Sequence, residues 1–255
     1  MIATLYAMTC GRLTGRMKDM IEGGEGTVTL PIPSYLIEHA KGHVLFDTGM
    51  HPQCRIDAAA RLGERTARLF GFEQFGVQDT IKARLESINR DPAKVDYIVN
   101  SHLHFDHAGG NALIPNATLV VQQREWAAAK DDEIAAKVGI YKADIDHGHP
   151  VREVDGEHDL FGDGSIVCIP TYGHTPGHQS LKVRTERGAV VLTGDACYFC
   201  RTLRERRLPR FVFNREQMHA SLDRIAALEK AGAKLLFGHD AEQWQNVPQA
   251  PAPVL

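Results

Sequence analysis

Short runs of β-branched, aliphatic and aromatic residues recur along the chain, and each predicts a strand buried in a sheet. These runs lie at 1–8, 43–46, 95–99, 118–121, 165–170, 179–184, 189–192 and 233–237. Elsewhere apolar residues recur at every third or fourth position, which predicts one helix over 78–89 and another over 215–230. Gly232 follows the second helix, and glycine commonly ends a helix in this way.

The segments near the start of the chain have weaker patterns. Residues 11–26 are rich in glycine and charge and predict a hairpin or a loop. Residues 27–38 are β-branched and aromatic, but Pro31 and Pro33 interrupt them. Because proline has no N–H to donate to a sheet, this pattern predicts a kinked edge strand.

Three other segments lie between the predicted strands. Residues 51–76 are rich in arginine and alanine, and we expect an irregular helical insertion that covers a cleft. Residues 124–138 are rich in alanine and predict one helix. Residues 142–159 are polar and predict loop, so His147 and His149 within them are interpreted as exposed loop histidines.

The composition indicates one large globular domain over residues 1–255, since 43% of the residues are hydrophobic and 24% are charged. The net charge of −3 favours neither nucleic acid nor an anionic membrane as a partner. No apolar run approaches the roughly 18–20 residues of a membrane span, and the apolar start resembles a strand more than a signal peptide. Five scattered cysteines indicate a cytoplasmic setting. Cys197 and Cys200 form a single CxxC motif, which is weak evidence for a redox or zinc site because no second such motif accompanies it.

The segment 101–110 holds the strongest chemical signal. His102, His104, Asp106 and His107 lie within six residues, directly after a predicted strand. His102 and His104 project in the same general direction, whereas Asp106 and His107 turn toward a second point. Imidazole and carboxylate ligands suit zinc and similar divalent metals, so this segment could hold two neighbouring ions. The alternative is a polar loop whose histidines make ordinary hydrogen bonds.

Further histidines and aspartates also follow predicted strands. His174, Asp195 and His239 each lie shortly after a strand and beside glycine. Ligands from several strand ends, meeting at one rim of a sheet, are a common way to build a metal site. Asp47 also ends a strand, where it could either orient a metal-bound histidine or form an Asx turn.

Taken together and in this order, five motifs resemble those of the metallo-β-lactamase superfamily: Asp47-Thr48-Gly49, 102–110, 173–178, Gly194-Asp195 and Gly238-His239. The resemblance implies an α/β (α+β) fold, a four-layered αββα sandwich with a dinuclear metal site at one edge. It also implies that His102, His104 and His174 hold the first metal. Asp106, His107 and His239 would hold the second metal, and Asp195 would bridge both. His178 and Asp47 occupy supporting positions.

Within the superfamily the chain is most similar to the N-acyl-homoserine lactone lactonases, which are quorum-quenching enzymes. Tyr198 lies three residues after Asp195, and in those lactonases a tyrosine at this offset points at the substrate. The resemblance further implies that Phe105 and Met20 line the acyl-chain pocket. The alternative for Tyr198 is a tyrosine at the edge of the core whose hydroxyl takes any partner.

The implied reaction is lactone hydrolysis with two divalent ions as cofactors, zinc being expected and cobalt, manganese or iron being tolerated by the same ligands. Our hypothesis is that a hydroxide shared by the metals attacks the carbonyl. Tyr198 would stabilise the oxyanion, and Asp106 would help the ring oxygen to leave. No Gly-x-Ser-x-Gly motif supports a serine hydrolase. We expect a small-molecule lactone as partner and a monomer or homodimer.

Other functions on the same scaffold remain open from the residues alone. They include hydrolysis of a thioester, another lactone, a β-lactam or a phosphodiester, and a non-catalytic metal-binding domain. A basic substrate surface would favour a phosphodiester or a thioester. Four arginines could form one, although a solvated helix face explains them as well: Arg201, Arg204, Arg206 and Arg207.

Overall fold

Two β-sheets face each other at the centre of the molecule in this computed structural model, which describes residues 1–254. The strands are β1 (Thr4–Arg16), β2 (Thr27–His39), β3 (Gly42–Phe46), β4 (Phe70–Gly71), β5 (Tyr97–Val99), β6 (Thr118–Gln122), β7 (Val151–Val154), β8 (His158–Asp159), β9 (Ile166–Pro170), β10 (Gln179–Thr185), β11 (Gly188–Leu192) and β12 (Lys234–Leu236). Seven strands form one sheet in the order β4-β1-β2-β3-β5-β6-β7, and five form the other in the order β12-β11-β10-β9-β8.

Ten helices lie within residues 1–254. They are α1 (Met17–Met20), α2 (Gln53–Ile56), α3 (Ala58–Ala67), α4 (Ile81–Ser87), α5 (Phe105–Ala108), α6 (Gln123–Lys130), α7 (Asp132–Val138), α8 (Cys200–Glu205), α9 (Arg215–Lys230) and α10 (Ala241–Trp244). Ile81 and Leu85 of α4 pack against the first sheet, and Leu222 of α9 packs against the second. The four-layered αββα sandwich is therefore confirmed.

Side chains that alternate between the two faces of each strand produce these layers. Val190 and Leu192 of β11 belong to the core between the two sheets, whereas Val191 between them packs under α9. Successive side chains of a strand point to opposite faces, so a continuous apolar run is buried on both sides. This explains why short, fully apolar runs without a polar face predicted the strands correctly.

Parallel pairing brings several strand ends to one edge. β3 lies parallel to β5 with Phe46 opposite Val99, and β11 lies parallel to β12 with Leu192 opposite Leu236. Because parallel strands end at the same edge of a sheet, the residues that follow each pair begin side by side. The chains after β3 and β5, and after β11 and β12, therefore enter the same region.

The prediction of an edge strand over 27–38 is right for one half of β2 and wrong for the other. Tyr35–Glu38 pair with both β1 and β3, so this half is interior. The first half, which contains Pro31 and Pro33, pairs with β1 alone. Opposite these prolines the register of β1 shifts between Thr9 and Arg12, which marks a bulge.

Other boundaries also differ from the predictions. Of the hairpin or loop expected at 11–26, the structure has the hairpin: β1 continues to Arg16, which pairs with Thr27 of the antiparallel strand β2. The expected helix over 124–138 is two helices, since Asp131 has extended backbone and caps α7 by accepting from Glu133 N–H and Ile134 N–H. The polar segment 142–159 contains β7 and β8. The helix over 215–230 matches α9, and none of the helices in residues 1–254 is both long and apolar enough to span a membrane.

Gly109 and Gly110 follow α5, where glycine commonly permits a sharp turn, but the structure shows a different reason for them. Neither has a positive φ, and Gly109 at the end of α5 has helical backbone. A Cβ added to Gly110 would lie 2.2 Å from the carbonyl oxygen of Thr48. Glycine therefore permits the segment after α5 to pack directly against the backbone that follows β3.

We predict that Gly110→Ala lowers the free energy of unfolding by about 1–3 kcal/mol, because the added methyl group overlaps a backbone atom that has little room to move. Gly15→Ala is the matched control, since its Cβ would make an ordinary 3.4 Å contact with Met20. Urea unfolding of both variants measures the difference. Equal stability of the two variants would contradict the close-packing explanation.

Candidate metal centre

Seven histidine and aspartate side chains converge at the shared edge of the sheets. They form two groups, and within each group one potential ligand atom per residue lies within 4.8 Å of the others. The first group is His102, His104, His174 and Asp195, and the second is Asp106, His107 and His239. The structure thus brings together all seven residues that the sequence predicted as ligands. Their roles as ligands stay predictions.

Asp195 lies between the two groups and presents one oxygen to each. Its Oδ2 is 3.3 Å from His174 Nε2 and 3.9 Å from His102 Nε2. Its Oδ1 is 3.2 Å from His107 Nε2 and 3.0 Å from His239 Nε2. This is the geometry expected of a carboxylate that bridges two cations.

Hydrogen bonds on the far side of three imidazole rings determine which nitrogen faces the cluster. His104 Nε2–H donates to the Val138 carbonyl at 2.6 Å, and His239 Nδ1–H donates to the Pro31 carbonyl at 2.9 Å. His107 Nδ1–H donates to Asp47 Oδ2 at 2.8 Å. When such a ring is neutral and carries one N–H, as a metal-binding histidine does, its opposite nitrogen presents a lone pair to the cluster.

Asp47 acts as a support for this arrangement, which decides between its two sequence interpretations. Besides His107, it accepts from Ser101 N–H at 2.7 Å and from Ser101 O–H at 2.8 Å. Ser101 Oγ in turn lies 2.9 Å from His102 Nδ1. Asp47 has a φ of 58°, a left-handed conformation that aspartate tolerates better than most residues. One carboxylate therefore orients a histidine of each group.

The cluster fits divalent metal ions on its own chemistry. His104 Nδ1, which carries a lone pair, lies 2.9 Å from His102 Nε2 and 3.1 Å from His174 Nε2. Within residues 1–254, Asp47, Asp106 and Asp195 have no lysine or arginine within 4.0 Å. Buried lone pairs that face one another and buried carboxylates without a cation are costly. Two divalent cations would compensate both.

The pKa values reflect this excess of negative charge. Burial lowers the pKa of His107, but Asp195, Asp106 and Asp47 outweigh burial and hold it well above the usual range. Burial and the neighbouring histidines His107 and His104 instead hold the pKa of His102 well below its usual range. Burial raises the pKa of Asp195, yet His107 and His239 reverse this and keep it well below. Asp195 is therefore a carboxylate.

His178 and Glu125 join the loops that carry the cluster. His178 Nε2 accepts from Asp195 N–H at 2.9 Å, which agrees with its predicted supporting role. Glu125, fully buried, accepts from Leu103 N–H at 3.1 Å and from Gly177 N–H at 2.8 Å. Burial raises the pKa of Glu125, and these N–H donors oppose that rise. Glu125 could not be singled out from the sequence, because it lies in an alanine-rich segment that predicted only a helix.

A largely apolar cavity of about 370 Å³ opens onto the cluster. Phe105, Met20 and Tyr198, the three predicted substrate-binding residues, all line it. The ring of Phe105 lies 5.8 Å from that of Phe70, between centroids. Further lining residues come from two segments, one in and just after α3 and the other at the end of α7 and just beyond it: Leu62, Thr66, Leu69, Val138, Gly139 and Tyr141.

Tyr198 lies where the cavity meets the cluster. Its ring centroid is 5.7 Å from that of His174 and 5.1 Å from that of His239, one histidine of each group. Burial, together with Asp195 and Asp106, holds the pKa of Tyr198 well above its usual range, so its hydroxyl keeps its proton. This placement favours the substrate-facing interpretation over a residue at the edge of the core.

Two other predicted features lie outside the cluster. His149 donates from Nε2 to the Ile114 carbonyl, and neither it nor His147 belongs to a metal-binding group in residues 1–254. The arginine cluster is neutralised internally, since Arg204, Arg206 and Arg207 pair with Glu229, Asp223 and Glu205 respectively. These pairs weaken the case for a basic substrate surface.

The fold and the cluster define the class of the protein. The family model for the metallo-beta-lactamase superfamily matches residues 28–239, and the chain belongs to this superfamily. Residues 28–239 include every side chain of the cluster.

Known relatives narrow the comparison. The chain is 32% identical over 256 residues to the N-acyl homoserine lactonase AttM of Azorhizobium caulinodans, with 97% of each chain covered. It is 33% identical over 218 residues to the N-acyl homoserine lactonase AiiA of Bacillus thuringiensis subsp. kurstaki, covering 85% of this chain and 84% of the relative. A solved N-acyl homoserine lactone hydrolase, with N-hexanoyl-L-homoserine at its catalytic metal centre, matches with a TM-score of 0.89, 29% identity and 100% coverage of both chains.

We predict that Asp47→Asn lowers metal affinity about 10–100-fold, because the amide removes the acceptor that orients His107 and alters the support of His102. Asp96→Asn is the matched control, since Asp96 also accepts a backbone N–H, from His43, but lies outside the cluster. Competition with a chromogenic chelator measures both affinities. Equal affinities would show that Asp47 does not orient the ligands.

Proposed function

We propose that this protein hydrolyses the lactone ring of N-acyl homoserine lactones. The observation that carries this proposal is the position of Tyr198, between the two groups of the cluster and at the floor of an apolar cavity. The relatives named N-acyl homoserine lactonases support the choice of substrate. The cavity would hold the acyl chain, and the cluster would face the ring.

Each residue has a distinct part in the proposed reaction. When bound, a pair of divalent ions lowers the pKa of a water molecule and polarises the carbonyl group. Tyr198 donates its hydroxyl hydrogen bond to the substrate oxygen on which negative charge develops. Asp106, which lines the cavity beside Tyr198, accepts a proton as water adds to the carbonyl carbon and returns it to the ring oxygen as the ring C–O bond breaks.

His102, His104 and His174 would hold the first ion, Asp106, His107 and His239 the second, and Asp195 both. We propose zinc as the metal, because imidazole-rich sites with a shared carboxylate suit it. The five cysteines are free, which supports a cytoplasmic setting. We further propose that the chain acts as one domain, as a monomer or homodimer. Part of segment 51–76 would cover the cleft, since Leu62 and Leu69 line the cavity.

A substrate panel tests the proposed activity. The purified protein loaded with zinc is assayed with N-hexanoyl-homoserine lactone, nitrocefin, S-lactoylglutathione and bis-p-nitrophenyl phosphate. We expect the lactone to have the highest kcat/KM and activity to disappear with a chelator and return with the metal. A higher kcat/KM for the thioester, the β-lactam or the phosphodiester would replace the proposed substrate with that class.

We predict that Tyr198→Phe lowers kcat about 100–1000-fold, the usual effect of removing one donor aimed at an oxyanion. The metal content measured by mass spectrometry should stay at the wild-type value, because the hydroxyl is not among the seven proposed ligands. Tyr172→Phe is the control, since the Tyr172 hydroxyl donates to Gln122 away from the cavity. Tyr198 has no catalytic part if both variants turn over at the wild-type rate.

A further inference from the structure

The helix α3 forms part of the cavity wall but is weak as an isolated helix. Gly63 interrupts it with φ 75° and ψ 156°, so the helical stretches on either side are short. Such short pieces are marginal alone and depend on tertiary contacts. Leu62 and Thr66 of α3 nevertheless line the cavity, together with Leu69 just beyond it. Their position must be held from outside the helix.

Three polar contacts join α3 to the segment 141–145, of which Tyr141 also lines the cavity. Arg61, before the interruption, pairs with Asp144 and donates from Nη2 to the Ala143 carbonyl at 2.7 Å. Thr66, after it, lies 2.6 Å from the Tyr141 hydroxyl, oxygen to oxygen. Both parts of the interrupted helix are thereby tied to the same short segment.

That segment is anchored to the cluster a few residues earlier. Val138 accepts the hydrogen bond of His104, and Ile140 forms an isolated bridge with His104. The contacts of α3 therefore define the distance between one wall of the cavity and a residue of the candidate metal centre. A change in these contacts would alter the width of the cavity.

The buried Arg61–Asp144 pair is not explained by a contribution to the stability of the fold. Asp144 has 0% of its side chain exposed and Arg61 has 11%. Burial raises the pKa of Asp144 to about 6 even though Arg61 opposes the rise. Asp144 Oδ2 and Arg61 Nε also have no hydrogen-bond partner among the described residues. A buried pair whose desolvation exceeds its attraction can often be replaced by apolar residues without loss of stability.

We propose that Arg61 and Asp144 are positioning residues that clasp α3 onto segment 141–145 and so determine which acyl chain lengths the enzyme prefers. The inference builds on the proposed function, in which the acyl chain occupies this cavity. A long chain reaches Leu62 and Leu69 and needs the wall in place, whereas a short chain stays near the cluster. Loss of the clasp would therefore raise KM for long chains only.

The test compares Arg61→Met with the double variant Arg61→Met/Asp144→Leu. The single variant should lower Tm, because it leaves Asp144 buried without its partner, and the double variant should restore Tm. In both variants the ratio of kcat/KM for N-decanoyl- over N-butanoyl-homoserine lactone should fall ~10-fold through KM, as wall contacts with several methylene groups are lost. Arg68→Gln is the control, since it breaks an exposed pair with Glu64 on the same part of the chain.

Two further measurements keep the outcome decisive. Amide hydrogen exchange over 58–67 should be faster in both variants and unchanged in Arg68→Gln. Arg61→Lys, which keeps the charge but has one donor group, should give an intermediate ratio and covers the case in which the double variant does not fold. The clasp is refuted if the ratio recovers together with Tm, or if exchange over 58–67 is unchanged. If the wild type opens neither lactone the proposed function fails, while hydrogen exchange still decides the clasp.

Discussion

The structure depends on one electrostatic constraint, which is that Asp195 is buried between two groups of imidazoles and has no lysine or arginine within 4.0 Å in the described chain. Each of its oxygens faces one group, and the imidazole lone pairs face inward. Such an arrangement is unfavourable without compensating positive charge. The donor set that the fold assembles is therefore suited to binding cations, and the surrounding hydrogen bonds hold its members in position.

Backbone oxygens provide much of this support. His104 is oriented by the carbonyl of Val138, and His239 by the carbonyl of Pro31. Pro31 lies in the half of β2 that has a neighbour on one side only, so its carbonyl is available to a side chain. The prolines that predicted an edge strand thus lie where a backbone carbonyl is free to accept from His239, a predicted ligand. A local feature of the sheet becomes part of the site.

The difference between side-chain groups and backbone groups explains how much of the fold and the site could be predicted from the sequence. The predicted ligands are recognisable because they are side chains that follow apolar runs, and the order of the motifs indicated the superfamily. The resemblance then implied the layers and drew attention to Tyr198. The carbonyls of Val138 and Pro31 carry no side-chain signature, since any residue supplies the same oxygen. The need for glycine at position 110 could not be predicted either, because it arises from close contact with Thr48, which is distant in the sequence. Asp131 broke a helix that composition alone made continuous.

The cavity wall at α3 and the candidate metal centre are held in place by different kinds of contact. The predicted ligands follow the ends of paired strands and lie close to one another, so a shift of one would disturb several others. The wall at α3 is an interrupted helix that is held by three polar contacts and by the packing of Leu62 in an apolar cluster. Rigid strand ends suit chemistry that needs ångström accuracy, and α3 contains none of the predicted ligands. Under the proposed clasp, substrate preference can therefore vary in segment 58–70 while the reacting groups stay in place.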